Sequence, residues 1–590
     1  MAEPRYVVGI DLGTTNSVVA YTDARVEPGT QPDIRVFAIP QLVAPGSVSA
    51  EPALPSFVLL PGPHDVAGGG LDLPWKTGAD RAVGAFARDR GAELPHRAVS
   101  SAKSWLANSR VDRRDKILPW NAEEPPQGKL SPVEASAEVL EHIRAAWNHE
   151  MGPGARLEDQ EILLTVPASF DALSRELTVE AARMAGLPNV TLLEEPQAAF
   201  YAWIWQSRDR WRKEVHTGDL VLVCDLGGGT CDFSLIRVGE QDGDLSLERV
   251  AVGDHLLVGG DNMDLSLAHS VAHKLSTEGR KLDAWQMRGL WQACRTAKEK
   301  LLAEDPPETW PVAVLGRGGG LIAGTVKTEL LAEEIQEQLT DAFFPYCRRE
   351  DKPGHGHRLG MMELGLVYES DPAITRHAGA FLTRANAGFP SAVLFNGGVM
   401  KAAALRKRMI AVLNSWKQEG DVRELAGAQY DQAVAIGAAF YGLARRGLAV
   451  RIQSGLNRTY YIGVEAAMPA VPGMPAPVRA LCVAPFGMEE GATLSLPQAK
   501  FGLLTGEPVR FELLASTKRR DDAPGSMVDE WEDEISPVSI METELSGEPG
   551  QVVPVTLEVK VTEVGTMEIW CVSEQADERW KLEFSVRERE

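Results

Sequence analysis

Two stretches of this chain, more than two hundred residues apart, carry nearly the same phrase: VVGIDLGTTN at residues 7–16 and LVCDLGGGTCDF at residues 222–233. Each is a run of strand formers that reaches Asp and then turns through glycine and threonine. A strand ending in Asp-x-Gly sets a carboxylate at its tip and lets the following backbone approach phosphate oxygens closely. Gly227, Gly228 and Gly229 leave backbone N–H groups to point into one concavity, a nest for an anion. Thr14, Thr15 and Thr230 add hydroxyl donors, and Asp11 and Asp225 can hold a hydrated Mg2+ between the loops. One such motif is an ordinary strand-end turn. Two matched copies, one in each half, point to a duplicated fold that clamps nucleotide phosphates in a crevice between two lobes.

The rest of the chain fits such a frame. Its 590 residues, 44% hydrophobic, suffice for several cores. The formal charge of -23 argues against nucleic acid as the main partner, since phosphate backbones need clustered Lys and Arg. Cys224, Cys231, Cys294, Cys347, Cys482 and Cys571 show neither disulfide nor metal spacing, which suits a reducing compartment. The first strand begins at Tyr6 with no signal peptide before it, and no eighteen apolar residues run together. A soluble, cytoplasmic chain without a membrane partner is expected.

Strands and helices alternate to about residue 445, an α/β pattern. VVGIDLG, EILLTVPA, LVLVCDLGGG and AVLFNGG read as buried strands feeding loops. Ser131-Pro132-Val133-Glu134 is a capping box opening a helix that ends by Gly152, and residues 171–186 form a second helix stopped by Gly186. From about residue 455 the texture becomes β-rich, with RTYYIGVEA, PVRFELLAS, VTLEVKV and MEIWCVS between turns. The expected domains are 1–447, a linker over 448–457, and an all-β domain over 458–590.

Further segments occur between and after the two phrases: VSSAKSWL (99–106), LLTVPASFDALSRE (163–176), LLEEPQAAFYAW (192–203), VGGDNMD (258–264), AVLFNGGVMKAAALRKRM (392–409) and DQAVAIGAA (431–439). In this order they resemble the motifs of the 70-kDa heat-shock chaperone family, the DnaK-like branch of the actin-like ATPases, over nearly all of residues 6–445. The resemblance implies a two-lobed actin-like ATPase domain with a duplicated core, binding ATP or ADP with Mg2+. Gly13, Thr14, Thr15 and Asn16 would form the first phosphate loop, and Gly227, Gly228, Gly229 and Thr230 the second. Gly260 would lie near the sugar with Lys298 beside it, and Gly397, Gly398 and Lys401 beside the base. Asp11, Asp225 and Glu195 would face the metal. Lys103 would sit near the γ-phosphate and steer the attacking water, with Glu195 and Thr230 in the catalytic set. Asp232 would orient water or a monovalent ion such as K+. Pro167 and Arg175 would be an interlobe switch. Phosphoryl transfer to water needs mainly positioning and charge neutralisation, which this set supplies.

Departures from the family pattern are equally specific. In WQACRTAKEKLL (291–302), Lys298 matches, while Arg295, Glu299 and Leu302 stand where acidic, basic and hydroxyl side chains are usual. Lys401 replaces a stacking Arg, Thr191 replaces a basic residue expected to help dock J-domain partners, and LARRGLAVRIQSGLNR (443–458) has no acidic-leucine linker. The β region resembles the family's peptide-binding sandwich, with RTYYIGVEAAMPAVPG (458–473) at its opening, and a β-sandwich can take an extended peptide. The chain stops at Glu590, so the resemblance implies a member without the helical lid.

The function implied is an ATP-hydrolysing chaperone acting on unfolded or extended polypeptide, with nucleotide exchange factors or J-domain proteins as further partners. Two alternatives stay open: a nucleotide-binding co-chaperone or regulator with little ATPase activity, and another actin-like ATPase or sugar kinase. Three features stand outside this reading. FYAWIWQSRDRWRKEV (200–215) reads as a lengthened helix that packs its tryptophans. CRREDKPGHGH (347–357) reads as a loop rather than a zinc site, and DDAPGSMVDEWEDE (521–534), with seven acids and no base, reads as a solvated loop. Phe486, Met488 and Leu494 read as β-domain core before pocket lining.

Overall fold

Each apolar run that ends in small residues becomes a central strand. Tyr6–Asp11 pairs antiparallel with Asn16–Asp23 across the first glycine loop and parallel with Glu161–Val166, which pairs parallel with Val190–Glu194. Leu220–Leu226 repeats the arrangement. It pairs antiparallel with Cys231–Gln241 across the second glycine loop and parallel with Ala392–Asn396, which pairs parallel with Arg423–Leu425. The repeated phrase is therefore a repeated sheet, with a glycine loop at the same place in each.

The structure is a computed structural model and describes residues 3–27, 30–241, 244–314, 326–354, 365–366, 368–427, 429–448, 456, 458–467, 476–488, 491–516, 518–562, 566–573 and 578–585. Most of the expected linker lies outside the described residues, as do His355 and His357. The chain divides into two compact units: Met1–Val238 with Arg249–Arg451, and Gly239–Glu248 with Ile452–Glu590.

In the first unit each sheet carries its own core. Val8, Ile10, Leu140, Trp147 and Leu164 lie in one lobe, and Leu222, Phe233, Met263, Leu290, Phe395 and Leu405 in the other. The helix Pro132–Met151 starts on the expected box: Ser131 Oγ accepts from Glu134 N at 3.0 Å, and Glu134 Oε2 accepts from Ser131 N at 2.8 Å. Asp171 caps Ala172–Met184 through Ser174 N at 2.7 Å. Two further helices, Glu195–Ser207 and Ala433–Arg445, cross so closely that a Cβ on Gly437 would lie 1.7 Å from the carbonyl oxygen of Ala198. Only glycine admits that approach.

The tryptophan-rich stretch runs as the helix Glu195–Ser207, a 3-10 turn Arg208–Arg210 and the helix Trp211–Glu214. Trp203 and Trp211 are buried, and Trp205 Nε1 donates to Pro32 O at 3.0 Å, so the segment packs inward.

The second unit contains two antiparallel sheets. One orders Met527–Val528, Val478–Ala484, Thr459–Glu465, Pro508–Ser516 and Ser536–Glu544, and the other Thr493–Thr505, Gln551–Val561, Thr566–Ser573 and Arg579–Ser585. Tyr460, Ile462, Leu481, Val559, Ile569 and Leu582 share one core between them, with Met488 and Leu494 packed against it. Alternate residues face the other way: Tyr461, Cys482 and Leu514 meet Trp531 and Ile535. This corrects the solvated-loop expectation for 521–534. Six of its acids are exposed, but Trp531 is buried and donates from Nε1 to Val478 O at 2.8 Å, and Asp522 turns inward to accept from Tyr461 OH at 2.8 Å. A count of charges misses one large apolar side chain among them.

All six cysteines are free. Among the described residues no helix is long and apolar enough to cross a membrane.

Candidate functional site

The two glycine loops touch. A Cβ on Gly228 would lie 2.5 Å from Thr15 Oγ1, and one on Gly229 would lie 3.3 Å from Thr14 Cγ2. Ser56, on a neighbouring segment, buttresses the first loop by donating from Oγ to Gly13 O at 2.7 Å and from its N–H to Thr15 O at 2.8 Å. The second loop closes on itself through Gly227 N to Thr230 O at 2.9 Å. It is also met by the start of the helix Gly260–Thr277, where Gly260 N and Asp261 N donate to Gly227 O and Gly228 O at 3.1 and 2.7 Å. Asn16 stands exposed where the first loop re-enters its sheet.

Beneath the loops the carboxylates gather. Asp11 and Asp225 sit half-buried at the two strand tips, and Glu195 begins the helix Glu195–Ser207 and is buried. Lys103, on the helix Ala102–Ala107, is buried too and its Nζ donates to Glu195 Oε1. Desolvation raises the Glu195 pKa to about 8 against the pull of Lys103, with Asp11 and Asp225 adding repulsion. Desolvation also raises Asp225, to about 7, against a hydrogen bond from Asn396 Nδ2 at 2.6 Å. Asp11 is raised for the same reason, although Lys103 and Thr165 oppose it. Burial works to lower Lys103, but Glu195, Asp11 and Asp225 outweigh it and the ammonium holds its proton more tightly. Burial drives the three carboxylates up and their charges drive the ammonium up; three carboxylates face one ammonium, a surplus of two negative charges when all are ionised.

That surplus fits a divalent cation, and the buried Oδ1 of Asn396 beside Asp225, unpartnered among the described residues, offers a further acceptor. Among the described residues no three His, Cys, Asp or Glu side chains converge closely enough to hold a metal directly.

The side chains expected near a sugar and base are already engaged. Lys298 Nζ lies 2.8 Å from Gly260 O and 2.7 Å from Asp264 Oδ1, while Arg295 reaches Asp264 Oδ2 at 3.0 Å and Asp261 Oδ1 at 2.6 Å. Gly397 takes a φ of 88° and would set a Cβ 2.3 Å from Leu226 O, so it must be glycine; Gly398 faces open space. Lys401 turns outward to Asp431 Oδ2 at 2.6 Å, and Arg406 stacks over Tyr430 at 4.7 Å.

Pro167 and Arg175 lie at the lobe junction. Phe170 N donates to Pro167 O at 3.2 Å, and Arg175 Nη2 donates at 3.3 Å both to Ala168 O and to Glu194 Oε1. Glu194, buried, also accepts from Arg249 Nη1 of the other lobe. Asp232 likewise links the lobes: Ser169 Oγ donates to its Oδ1 at 2.8 Å and His255 Nδ1 lies 3.1 Å from both of its oxygens.

The structure thus brings together Asp11, Gly13, Thr14, Thr15, Lys103, Glu195, Asp225, Gly227, Gly228, Gly229, Thr230 and Gly260, with Lys298 and Gly397 on their flank. It sets Lys401 apart on Asp431. The sequence reading missed Ser56, Asn396, Glu194, Arg249, Ser169 and His255. Three of them adjoin or lie within quoted motifs (Glu194 in LLEEP, Asn396 in FNGG, Ser169 in PASF), and the polar residue beside the assigned one was the available signal.

A family model described as Hsp70 protein matches residues 74–316. The chain is 30% identical over 357 residues to the "Chaperone protein HscA homolog" of Bordetella pertussis, covering 58% of this chain and 48% of that protein. The protein of the same name from Pseudomonas aeruginosa is 33% identical over 315 residues (51% and 43%), and that from Acidithiobacillus ferrooxidans 32% over 360 residues (58% and 49%). Residues 74–316 thus match the Hsp70 family, and the relatives support an Hsp70-type chain. The chain spans about half the length of the curated relatives it matches. An Hsp70 domain implies the two-lobed actin-like ATPase fold, and the two sheets of like topology fit its lobes.

Proposed function

We propose that this Hsp70-type protein is an ATP-dependent chaperone that binds ATP between its glycine loops, hydrolyses it with Mg2+, and uses the nucleotide state to control binding of extended polypeptide. The observation that carries this is the set of Asp11, Glu195, Asp225 and Lys103 gathered beneath two touching glycine loops. Gly13–Asn16 and Gly227–Thr230 would cradle the phosphates through backbone N–H groups, with Thr15 and Thr230 donating hydroxyls to the γ-phosphate. Lys103, held by Glu195, would sit beside that phosphate and align the attacking water, with Asp232 fixing the water's other side. Asp11, Glu195 and Asp225 would hold the hydrated ion, which when bound neutralises charge on the β- and γ-phosphates. Gly260 and Lys298 would meet the sugar, Gly397 and Gly398 the base, and Pro167 with Arg175 would pass lobe movement outward. The second unit, read as a β-sandwich, would take the polypeptide by pairing backbone with it. Free cysteines fit a cytoplasmic site of action.

A second reading, a regulator that holds nucleotide without turning it over, is favoured by one observation: Arg295 and Lys298 are spent on Asp261 and Asp264 rather than left open to a ligand. ATP turnover by the whole chain, with and without an unfolded polypeptide and beside Lys103→Ala, separates the two. Slow hydrolysis that rises with polypeptide and falls roughly hundredfold in the variant is expected. Tight nucleotide binding with no turnover would give the case to the regulator.

A further inference from the structure

His255 belongs to none of the family-like segments, yet it touches the phosphate-loop strand. It follows Asp254 on the stretch that leads from Asp244–Val252 into the helix Gly260–Thr277. Backbone hydrogen bonds between Cys231 and Leu256 (2.9 and 3.2 Å) fasten that stretch to the strand Cys231–Gln241. The imidazole is thereby set against Asp232, and both side chains are close to nine-tenths buried.

We infer that His255 is a positioning residue for the proposed hydrolysis: its Nδ1–H fixes the Asp232 carboxylate in the orientation that reaches across the cleft to Ser169. The inference rests on the ATPase reading above. Carboxylate oxygens accept, so the ring nitrogen 3.1 Å from both of them must donate, and the proton sits on Nδ1. Nε2 takes no part in that contact. It is buried and has no hydrogen-bond partner among the described residues. A histidine that merely fills space satisfies its nitrogens, because a buried polar atom left unpaired is costly. Here one nitrogen goes without so that the other can face Asp232.

Asp232 itself is held from both lobes. Ser169, on the loop after Glu161–Val166, donates to Oδ1 at 2.8 Å, and its neighbour Phe170 lies edge-on to the imidazole with centroids 6.1 Å apart and planes at 79°. The carboxylate can rotate only by breaking the contact with one lobe or the other. Its position matters to the site because Asp232 stands directly opposite Asp225 on the paired strand and two residues after Thr230. A swing of Asp232 would move a negative charge beside the metal-facing carboxylate and leave the water-orienting group misplaced. Interlobe geometry is thus read at the phosphate loop through a single hydrogen-bonded carboxylate.

The test uses the whole chain with His255→Phe, His255→Asn and His255→Gln. Asparagine can set an amide N–H near the place of Nδ1, and glutamine near the place of Nε2. His255→Phe is expected to lower kcat about tenfold to hundredfold, the usual range for losing a hydrogen bond to a charged acceptor, with KM for ATP within about threefold. His255→Asn should recover kcat to within about threefold of the native chain, and His255→Gln should not. Recovery by Gln and not by Asn would transfer the role to Nε2 and overturn the inference, as would an unchanged kcat in His255→Phe. Imidazole nitrogen NMR shifts give a readout independent of turnover: the Nδ1–H tautomer in the native chain, lost in Asp232→Ala. An Nε2–H tautomer in the native chain would contradict the assignment. A native chain that binds no nucleotide and hydrolyses none defeats the ATPase reading and this inference with it. Turnover that ignores position 255 defeats this inference alone.

Discussion

Gly437→Ala should destabilise the protein even though alanine is the better helix former. Gly437 lies inside Ala433–Arg445, where helix propensity alone favours Ala by about 1 kcal/mol. Packing opposes it. The new Cβ would meet the Ala198 carbonyl oxygen at 1.7 Å, its carbon at 2.6 Å and the Ala202 nitrogen at 2.8 Å. Even a close carbon–oxygen contact needs about 3.3 Å, so the helices must part by roughly 1.6 Å. Every obstructing atom is backbone and none can rotate away. Overpacking costs typically 1–3 kcal/mol, and a rigid obstacle puts this site at the upper end, leaving a net loss of about 2 kcal/mol. Unfolding entropy near 2 cal/mol/K per residue gives the first unit, of about 440 residues, close to 0.9 kcal/mol/K, so Tm should fall about 2 °C. Gly289→Ala is the matched control. It is an exposed helix-interior glycine with nothing within 4 Å of its Cβ, and Tm should rise by about 1 °C. Scanning calorimetry of both variants should show opposite signs. Equal shifts would mean that the helix crossing is looser than described. Turnover should fall in Gly437→Ala alone, because Glu195 is the first residue of the displaced helix.

Two further perturbations follow from the buried charges. Glu194→Gln keeps shape but removes the carboxylate that Arg175 and Arg249 share, and should cost about 3–5 kcal/mol in urea unfolding; a loss under about 1 kcal/mol would show that the pairing carries little. Stability should also fall on both sides of a mid-acid pH optimum. Burial lowers His142 from 6.5 to about 4, so its contribution is present above 6.5 and is lost as pH drops toward 4, roughly 3 kcal/mol in all. Glu195 and Asp225 act in reverse: raised from 4.5 to about 8 and from 3.8 to about 7, they favour the folded state below their unfolded values and lose that contribution as pH climbs toward 8. His142→Gln should flatten the acid limb of urea midpoint against pH, and Glu195→Gln the alkaline limb. Limbs that persist in these variants would assign the dependence elsewhere.

Much of the site is legible in one dimension because its chemistry is local. A glycine loop after a strand-end Asp needs only adjacent residues, so both glycine loops and their carboxylates stand in the sequence as contiguous phrases. Residues that act across the lobes leave no such trace. Glu194 adjoins Glu195 on the chain, but one faces two arginines and the other a lysine, and the alternation of a strand tip decides which. Lys401 reads like Lys298 in sequence, yet it sits over an exposed acid rather than in the cleft. Trp531 hides among seven acids because charge averaging over a loop ignores the one side chain that packs.

Sequence alone displayed the repeated phrase, with an Asp before glycine in each copy, and the change to a β-rich texture from about residue 455. These depend on short-range backbone conformation and on the period of apolar residues, both of which are written along the chain. Only the tertiary structure decided that three carboxylates share one ammonium, that Gly437 must be glycine, and that His255 and Ser169 grip one aspartate from opposite lobes. Electrostatic coupling and steric exclusion act over a few ångströms of space, and the residues that meet there are separated by tens to hundreds of positions.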